Sequence, residues 1–131
     1  MSDIVVPGFK GSELINDLNK ALNENLSAEE RAKLIKQVNG VFQFVLTNKD
    51  KKQEVFTVDI KKEGKVVRGK GAIKADAILS LADDDFVSLA TGKLNGQKAY
   101  MTGKLKIKGQ IMLAMKLDTV FKSIQEKSSK L

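Results

Sequence analysis

The first quarter of the chain carries apolar residues at helical spacing. Ser12 can cap a helix predicted over residues 12–24. Its apolar face consists of Leu14, Leu18, Ala21 and Leu22.

A second helix is predicted to begin at Ser27, which forms an S-x-x-E capping box with Glu30, and to run to about Asn39. Gly40 follows at the place where a helix that ends in left-handed geometry favours glycine.

From residue 41 onward the apolar period changes to two. Residues 41–47 are apolar on both sides and predict a strand covered on both faces, whereas residues 54–61 alternate apolar and polar side chains. A third short strand is predicted over residues 65–70, so that the three form a meander of antiparallel neighbours. Residues 77–81, a short apolar run between acidic residues, predict a fourth strand.

An acidic triplet opens the next helical segment. We expect Asp83 to cap a helix that ends near Ala90, with Asp84 and Asp85 favourable beside its positive end. A metal site is disfavoured, because adjacent carboxylates do not face each other on a helix and no ligands follow at calcium-loop spacing.

The elements predicted directly after this helix are shorter. Residues 97–101 predict a short helical or irregular piece, and residues 104–108 alternate lysine with apolar residues, as in a half-exposed strand. Residues 110–125 return to helical period, with an apolar arc broader than packing on a single surface requires. The excess side of that arc is where we expect a ligand.

The composition of the sequence excludes several classes of catalytic and metal site. The 131 residues fit one domain, and the absence of histidine and cysteine excludes histidine-based triads, histidine zinc sites and disulfides. The net charge of +7 is compatible with nucleic acid, an anionic membrane surface or phosphorylated ligands, and equally with a solubilising lysine coat. The glycine–lysine pairs are not phosphate loops, because Gly92-Lys93 is followed by Leu94 in place of Ser or Thr.

The last three residues of the sequence are Ser129-Lys130-Leu131. A terminal Ser-Lys-Leu is an address that the peroxisomal import receptor recognises when the carboxylate is free. We therefore expect localisation in the peroxisomal matrix.

The second half of the chain contains several short motifs, which are Thr91-Gly92-Lys93-Leu94, Ala99-Tyr100, Gly103-Lys104-Leu105-Lys106-Ile107 and Leu113-Ala114-Met115-Lys116-Leu117. On these motifs the chain resembles the sterol carrier protein type 2 family of non-specific lipid-transfer proteins, and the resemblance covers about residues 10–131. Gly96 stands where many relatives have proline, and Thr102 stands where glutamine is common.

The resemblance implies an α+β fold, with a five-stranded, largely antiparallel sheet covered on one face by about five helices and an internal apolar lipid tunnel. It divides the chain into a flexible lead-in (1–8), a lipid-binding domain (9–125) and an exposed tail (126–131). It implies no catalytic centre, metal or cofactor. The expected ligands are long-chain fatty acids, acyl-CoA thioesters, and sterols or phospholipids, carried by a monomer that touches anionic membranes transiently.

The residues expected to contact the ligand combine this resemblance with the apolar pattern, and Gln97 is expected to orient its polar end. They are Phe86, Leu89, Leu94, Gln97, Met101, Leu105, Ile111, Met112, Met115 and Phe121. Unbranched methionine side chains suit a pocket that accepts several lipid shapes.

Two rival functions follow from the charge and the carboxylates. The first is a basic module that binds anionic surfaces or nucleic acid, although Tyr100 is the only tyrosine and tryptophan is absent, which leaves little for base stacking. The second is a thioesterase that uses carboxylates or lysines. We expect lipid binding without chemistry and no nucleic-acid partner.

Overall fold

The computed structural model describes residues 4–62, 64–69, 74–116 and 120. Within these residues, no helix is long and apolar enough to cross a membrane.

The helical segment near the beginning of the chain has two parts. The α-helix α1 spans Lys10–Lys20, and a five-residue π-helix, Ala21–Asn25, follows it without a break. The Leu26 N–H donates to the Ala21 carbonyl at 2.9 Å and closes this wider turn. The predicted first helix is confirmed, with its beginning two residues earlier.

Helix α2 spans Ala28–Val38 and begins with the capping box that the sequence predicts. The Ser27 hydroxyl accepts the Glu30 N–H at 3.1 Å, and the Glu30 carboxylate accepts the Ser27 N–H at 3.0 Å. Both otherwise unpaired donors are thereby satisfied.

Five strands form one sheet. They are β1 (Gly40–Thr47), β2 (Gln53–Ile60), β3 (Lys65–Arg68), β4 (Ala77–Ala82) and β5 (Leu105–Gly109). Their order across the sheet is β3-β2-β1-β4-β5, and all neighbours are antiparallel except the parallel pair of β1 and β4. The predicted five-stranded, largely antiparallel sheet is confirmed.

Alternate side chains of the sheet face the helices. On β1, Phe42, Phe44 and Leu46 are fully buried in the core, whereas Gln43 and Val45 on the opposite side are half-buried. Apolar side chains of α1, α2 and the later helices belong to the same core cluster. In the described part of the chain the core cluster lies on the side of Phe42, Phe44 and Leu46. On the opposite side of β1, Val41 is fully buried as well, so the predicted burial of β1 on both faces holds at this position.

Three further helices follow β4. Helix α3 spans Asp83–Ala90, α4 spans Gly96–Met101, and α5 spans Ile111–Met115. Strand β5 separates α4 from α5 in the chain. Helix α4 contacts β5, whereas α5 contacts β4 and β5 and reaches Gly40 of β1 through Leu113.

The predicted role of Ser12 is wrong. Phe9 is the residue that precedes α1, and Ser12 lies inside the first turn of the helix. Its buried hydroxyl donates to the Phe9 carbonyl at 2.6 Å and accepts the Val6 N–H at 2.8 Å. Ser12 therefore holds the segment before α1 against the helix.

The predicted role of Gly40 is also wrong. Asn39, with φ of 48°, takes the left-handed conformation at the end of α2, and Gly40 begins β1. A Cβ atom on Gly40 would lie 2.8 Å from Leu113 Cγ and would collide with both methyl groups of that leucine. Glycine is required here because α5 packs directly on the backbone of β1.

Candidate functional site

The carboxylate of Asp83 positions helix α3, although the sequence predicted that this residue would cap the helix. Asp83 is the first residue of α3 and is only 5% exposed. Its two carboxylate oxygens accept the Lys10 and Gly11 N–H groups, each at 2.8 Å. The prediction that Asp83 caps its own helix is wrong: it satisfies free donors in the first turn of α1, and Ala82 precedes α3 without a side-chain cap.

Gly11 allows this contact to form. A Cβ atom on Gly11 would lie 2.7 Å from Asp83 Oδ1, 2.8 Å from Phe86 Cδ2 and 2.9 Å from Leu46 Cδ1. The backbone of α1 therefore reaches both α3 and the sheet at one point, which fixes the angle at which α3 crosses the core.

An aromatic cluster forms the centre of the candidate site. Phe86 of α3 is fully buried and meets Phe44 edge to face, with ring centroids 5.2 Å apart and planes at 70°. Phe44 lies 6.4 Å from Phe42 with the planes at 24°. The edge-to-face contact of Phe86 with Phe44 places the positive edge of one ring against the face of the other and helps to fix the position of Phe86.

Other predicted ligand contacts share the same core. Leu89 and Leu105 are each 2% exposed. Leu94 and Met115 are half-buried and pack against the core cluster. The structure thus brings Phe86, Leu89, Leu94, Leu105 and Met115 into one apolar region between the sheet and the later helices.

Four predicted residues point away from this region. Gln97 is exposed, Met101 is 75% exposed, Ile111 is 42% exposed and Met112 is 80% exposed. Phe121 lies outside the described residues, as do Ser129, Lys130 and Leu131. The lining role of all these residues stays a prediction.

Leu113 and Ala99 also lie in this apolar region, although neither was among the residues predicted to contact the ligand. Leu113 is 4% exposed and packs against β1, and Ala99 of α4 is fully buried. The helical stripe that contains Leu113 could have identified it, whereas α4 is too short for its pattern to single out Ala99.

Two clefts that are lined by described residues lie outside this apolar region. One, of about 350 Å³, is lined by the beginning of α1, the β1–β2 turn and Asp83-Asp84. The other, of about 460 Å³, runs along residues 5–10 and Glu13. Neither is lined by the residues predicted to contact the ligand. Among the described residues, no three acidic side chains converge in a way that would hold a metal ion.

The sequence of this folded unit matches a known family. The model of the SCP-2 sterol transfer family aligns with residues 18–122, which include α3, α4, β5 and α5. The chain belongs to the SCP-2 sterol transfer family. Residues 18–122 are therefore the part of the chain that corresponds to this family.

Relatives of this SCP-2 domain include two yeast proteins of nearly the same length. It is 42% identical over 122 residues to the oleate-induced peroxisomal protein POX18 of Candida maltosa, covering 92% of this chain and 94% of that protein. It is 38% identical over 122 residues to a fatty acid-binding protein of Yarrowia lipolytica, covering 92% and 95% of the two chains.

Solved structures agree with the fold. Sterol carrier protein 2 from Yarrowia lipolytica, in its apo form, superposes with a TM-score of 0.88 at 37% identity and covers 95% of this chain and 98% of its own. Sterol carrier protein 2 from Aedes aegypti, in complex with palmitate, superposes with a TM-score of 0.66 at 28% identity over 87% and 96% of the chains.

Proposed function

We propose that this chain carries long-chain fatty acids and their CoA thioesters within peroxisomes. The observation that carries the proposal is the 38% identity to a fatty acid-binding protein over 92% of this chain. Sterols and phospholipids are secondary ligands of the same apolar region. The protein binds the lipid and releases it unchanged.

The inward residues of α3, α4, β5 and α5 form the proposed binding region. Phe86, Leu89 and Leu105 are buried and apolar, so an acyl chain between them would leave water without losing hydrogen bonds. Half-buried Leu94 and Met115 lie at the border of the core, where a flexible thioether adapts to chains of different shape. Gln97, which is exposed, would contact the polar end of the ligand.

Simple energetics support micromolar or tighter binding. Each buried CH₂ group stabilises a complex by about 0.8 kcal/mol, so a chain of ~16 carbons gains roughly 12 kcal/mol before costs are subtracted. Lost translation and the ordering of the chain offset several kcal/mol of this.

Titration of a fluorescent fatty acid into delipidated protein tests the proposal. We expect saturable binding that palmitate and palmitoyl-CoA displace. Leu89→Ala is expected to weaken the affinity at least about threefold, because the chain loses contacts. Leu34→Ala on α2 is the matched control, since Leu34 is 4% exposed and Leu89 is 2% exposed. Absence of displacement, or equal loss of affinity in both variants, would contradict the proposal.

The peroxisomal location is the second part of the proposal. It is supported by the peroxisomal relative from Candida maltosa and by the sequence Ser129-Lys130-Leu131. A fluorescent protein fused ahead of residue 1 should enter peroxisomes, and removal of Leu131 should leave it in the cytosol. Import that persists without Leu131 would assign the address to another part of the chain.

A further inference from the structure

A fixed aromatic wall closes one end of the proposed binding region. Phe86 is fully buried, and its ring meets Phe44 with the centroids 5.2 Å apart. A Cβ atom on Gly11 would lie 2.8 Å from Phe86 Cδ2 and 2.9 Å from Leu46 Cδ1, so the backbone of α1 packs directly behind this wall. The Phe86 ring is therefore held from both sides, because a close-packed side chain moves only when its neighbours move.

The segment before α1 covers the same end. Phe9, two residues before Gly11, is 4% exposed. Asn48, two residues after Leu46, donates from its side chain to the Gly8 carbonyl at 3.3 Å. A covered apolar end suits the methyl terminus of an acyl chain, which gains by leaving water and needs no hydrogen bond.

The second end of the region lies near the beginning of β1. Buried Leu113 of α5 packs on Gly40, six residues before Leu46. Because a strand rises about 3.3 Å per residue, the two ends are about 20 Å apart along β1. This span is comparable with half of the ~30 Å hydrocarbon thickness of a bilayer, which is the depth that one long acyl chain fills. The region thus has the length of a single extended long chain.

Water reaches the second end. Met115, two residues after Leu113, is half-buried at the border of the core. Ile111 and Met112 on the same helix are 42% and 80% exposed. A buried carboxylate loses its hydration unless it is paired, so the charged head group of a lipid belongs at this end of the region.

The charges at the closed end favour the same orientation. The acidic triplet, residues 83–85, forms the first turn of α3 directly before Phe86. The cleft beside it is lined by Lys10 and Lys49 together with Asp50 and two residues of the triplet. Four aspartates therefore accompany two lysines, and an anionic head group is repelled from this end.

The charges at the second end attract an anion. Lys116 is exposed, and its ammonium group donates to the Gln37 carbonyl at the end of α2, at 3.3 Å. The carboxylate of Asp76, near the beginning of α5, accepts the Val41 N–H at 3.0 Å and pairs with Lys61 at 3.8 Å, which offsets its charge.

We propose that Phe86 sets the longest acyl chain that the protein accepts, because the methyl terminus of the ligand stops against its ring while the head group emerges beside Lys116. The inference rests on the proposed carrier function and adds to it the orientation of the ligand and the residue that limits its length. The acidic triplet then has a role in binding, since it excludes the head group from the closed end.

Palmitate labelled with carbon-13 tests the orientation on the full wild-type chain. In isotope-filtered NMR spectra, a label at the methyl carbon should give nuclear Overhauser effects to the ring protons of Phe86. A label at the carbon next to the carboxylate should give them to the side chains of Met115 and Lys116. The reverse pattern, or contacts of both labels with both ends, would overturn the proposal.

A chain-length series tests the role of Phe86. Phe86→Leu frees about the volume of one CH₂ group, so the affinity for the first saturated acid beyond the wild-type optimum should rise about fourfold relative to that optimum. Phe56→Leu is the matched control, because Phe56 is also fully buried but lies on β2, opposite Phe44. It removes the same atoms from the core and should leave the optimum length unchanged.

Displacement of a fluorescent fatty acid measures both variants, after urea denaturation has shown that they are folded. An unchanged optimum in Phe86→Leu, or equal shifts in the two variants, would overturn the assignment of Phe86 and leave the carrier function standing. If Phe86→Leu does not fold, the contacts of the labelled methyl group in the wild type decide the question. Wild-type protein that shows no saturable binding of the fluorescent fatty acid would overturn the carrier function itself.

Discussion

The carboxylate of Asp83 accepts the N–H of Gly11 at 2.8 Å, across 72 residues of sequence. The same carboxylate accepts the Lys10 N–H, so one buried side chain joins the beginning of α1 to the beginning of α3. Because α3 carries Phe86 and Leu89, this contact also fixes one wall of the proposed binding region.

Removal of this carboxylate should destabilise the protein. Asp83→Ala removes the acceptor of the buried Gly11 N–H and of the partly buried Lys10 N–H. We expect the free energy of unfolding to fall by about 1–3 kcal/mol. Asp84→Ala is the control, because Asp84 is exposed and adjacent, and it should change stability by less than about 0.5 kcal/mol. Urea denaturation measures both. Similar losses in the two variants would show that α3 is stabilised by negative charge near its first turn and not by the hydrogen bonds from α1 to Asp83.

The packing of α5 on β1 predicts a measurable coupling. Gly40→Ala should cost about 1–3 kcal/mol by collision with Leu113, and Leu113→Ala about 2–4 kcal/mol through a cavity. The double variant should lose about 1 kcal/mol less free energy of unfolding than the sum of the two single losses, because the smaller side chain at residue 113 relieves the collision. Strict additivity in urea denaturation would place Leu113 away from Gly40.

Ligand affinity should depend steeply on acyl-chain length. Each additional buried CH₂ contributes about 0.8 kcal/mol, so two more carbons should tighten binding about tenfold until the proposed binding region is full. Displacement of a fluorescent fatty acid by saturated acids of increasing length measures this slope. A flat series would indicate that the head group, and not the chain, provides the affinity.

Acyl-CoA should remain intact on the protein. Histidine and cysteine are absent from the sequence, and we propose no catalytic group among the carboxylates and lysines. Incubation with palmitoyl-CoA, followed by a thiol assay, should show free CoA only at the rate of the buffer. A protein-dependent release of CoA would replace the carrier proposal with a thioesterase.

The sequence predicted the repeating elements well because their period is a local property. The change of period near Val41, the capping box at Ser27 and the alternation after Glu54 all correspond to observed elements. The apolar pattern predicted all five strands, and the family resemblance added that they form one largely antiparallel sheet.

Three predictions of helix-terminal residues were wrong for the same reason, which is a contact that the local sequence pattern does not contain. Ser12, Gly40 and Asp83 each have a residue type that suits a local helix terminus, yet each meets a partner that the local pattern does not contain. The outward positions of Met101 and Met112 were missed for a different reason. Helices of five or six residues contain fewer than two turns, so their apolar period does not define which side faces the core.

The parallel pair of β1 and β4 has a consequence for the order in which the chain can fold. Strands β1 and β2 meet across a short turn, with Thr47 opposite Gln53, whereas Phe42 lies opposite Ala77. Closing the longer loop costs more chain entropy, so the hairpin of β1 and β2 should form first and offer its free edge to β4. The part of the molecule that carries the proposed binding region would then be assembled last, on a template made by the strands that precede it in the chain.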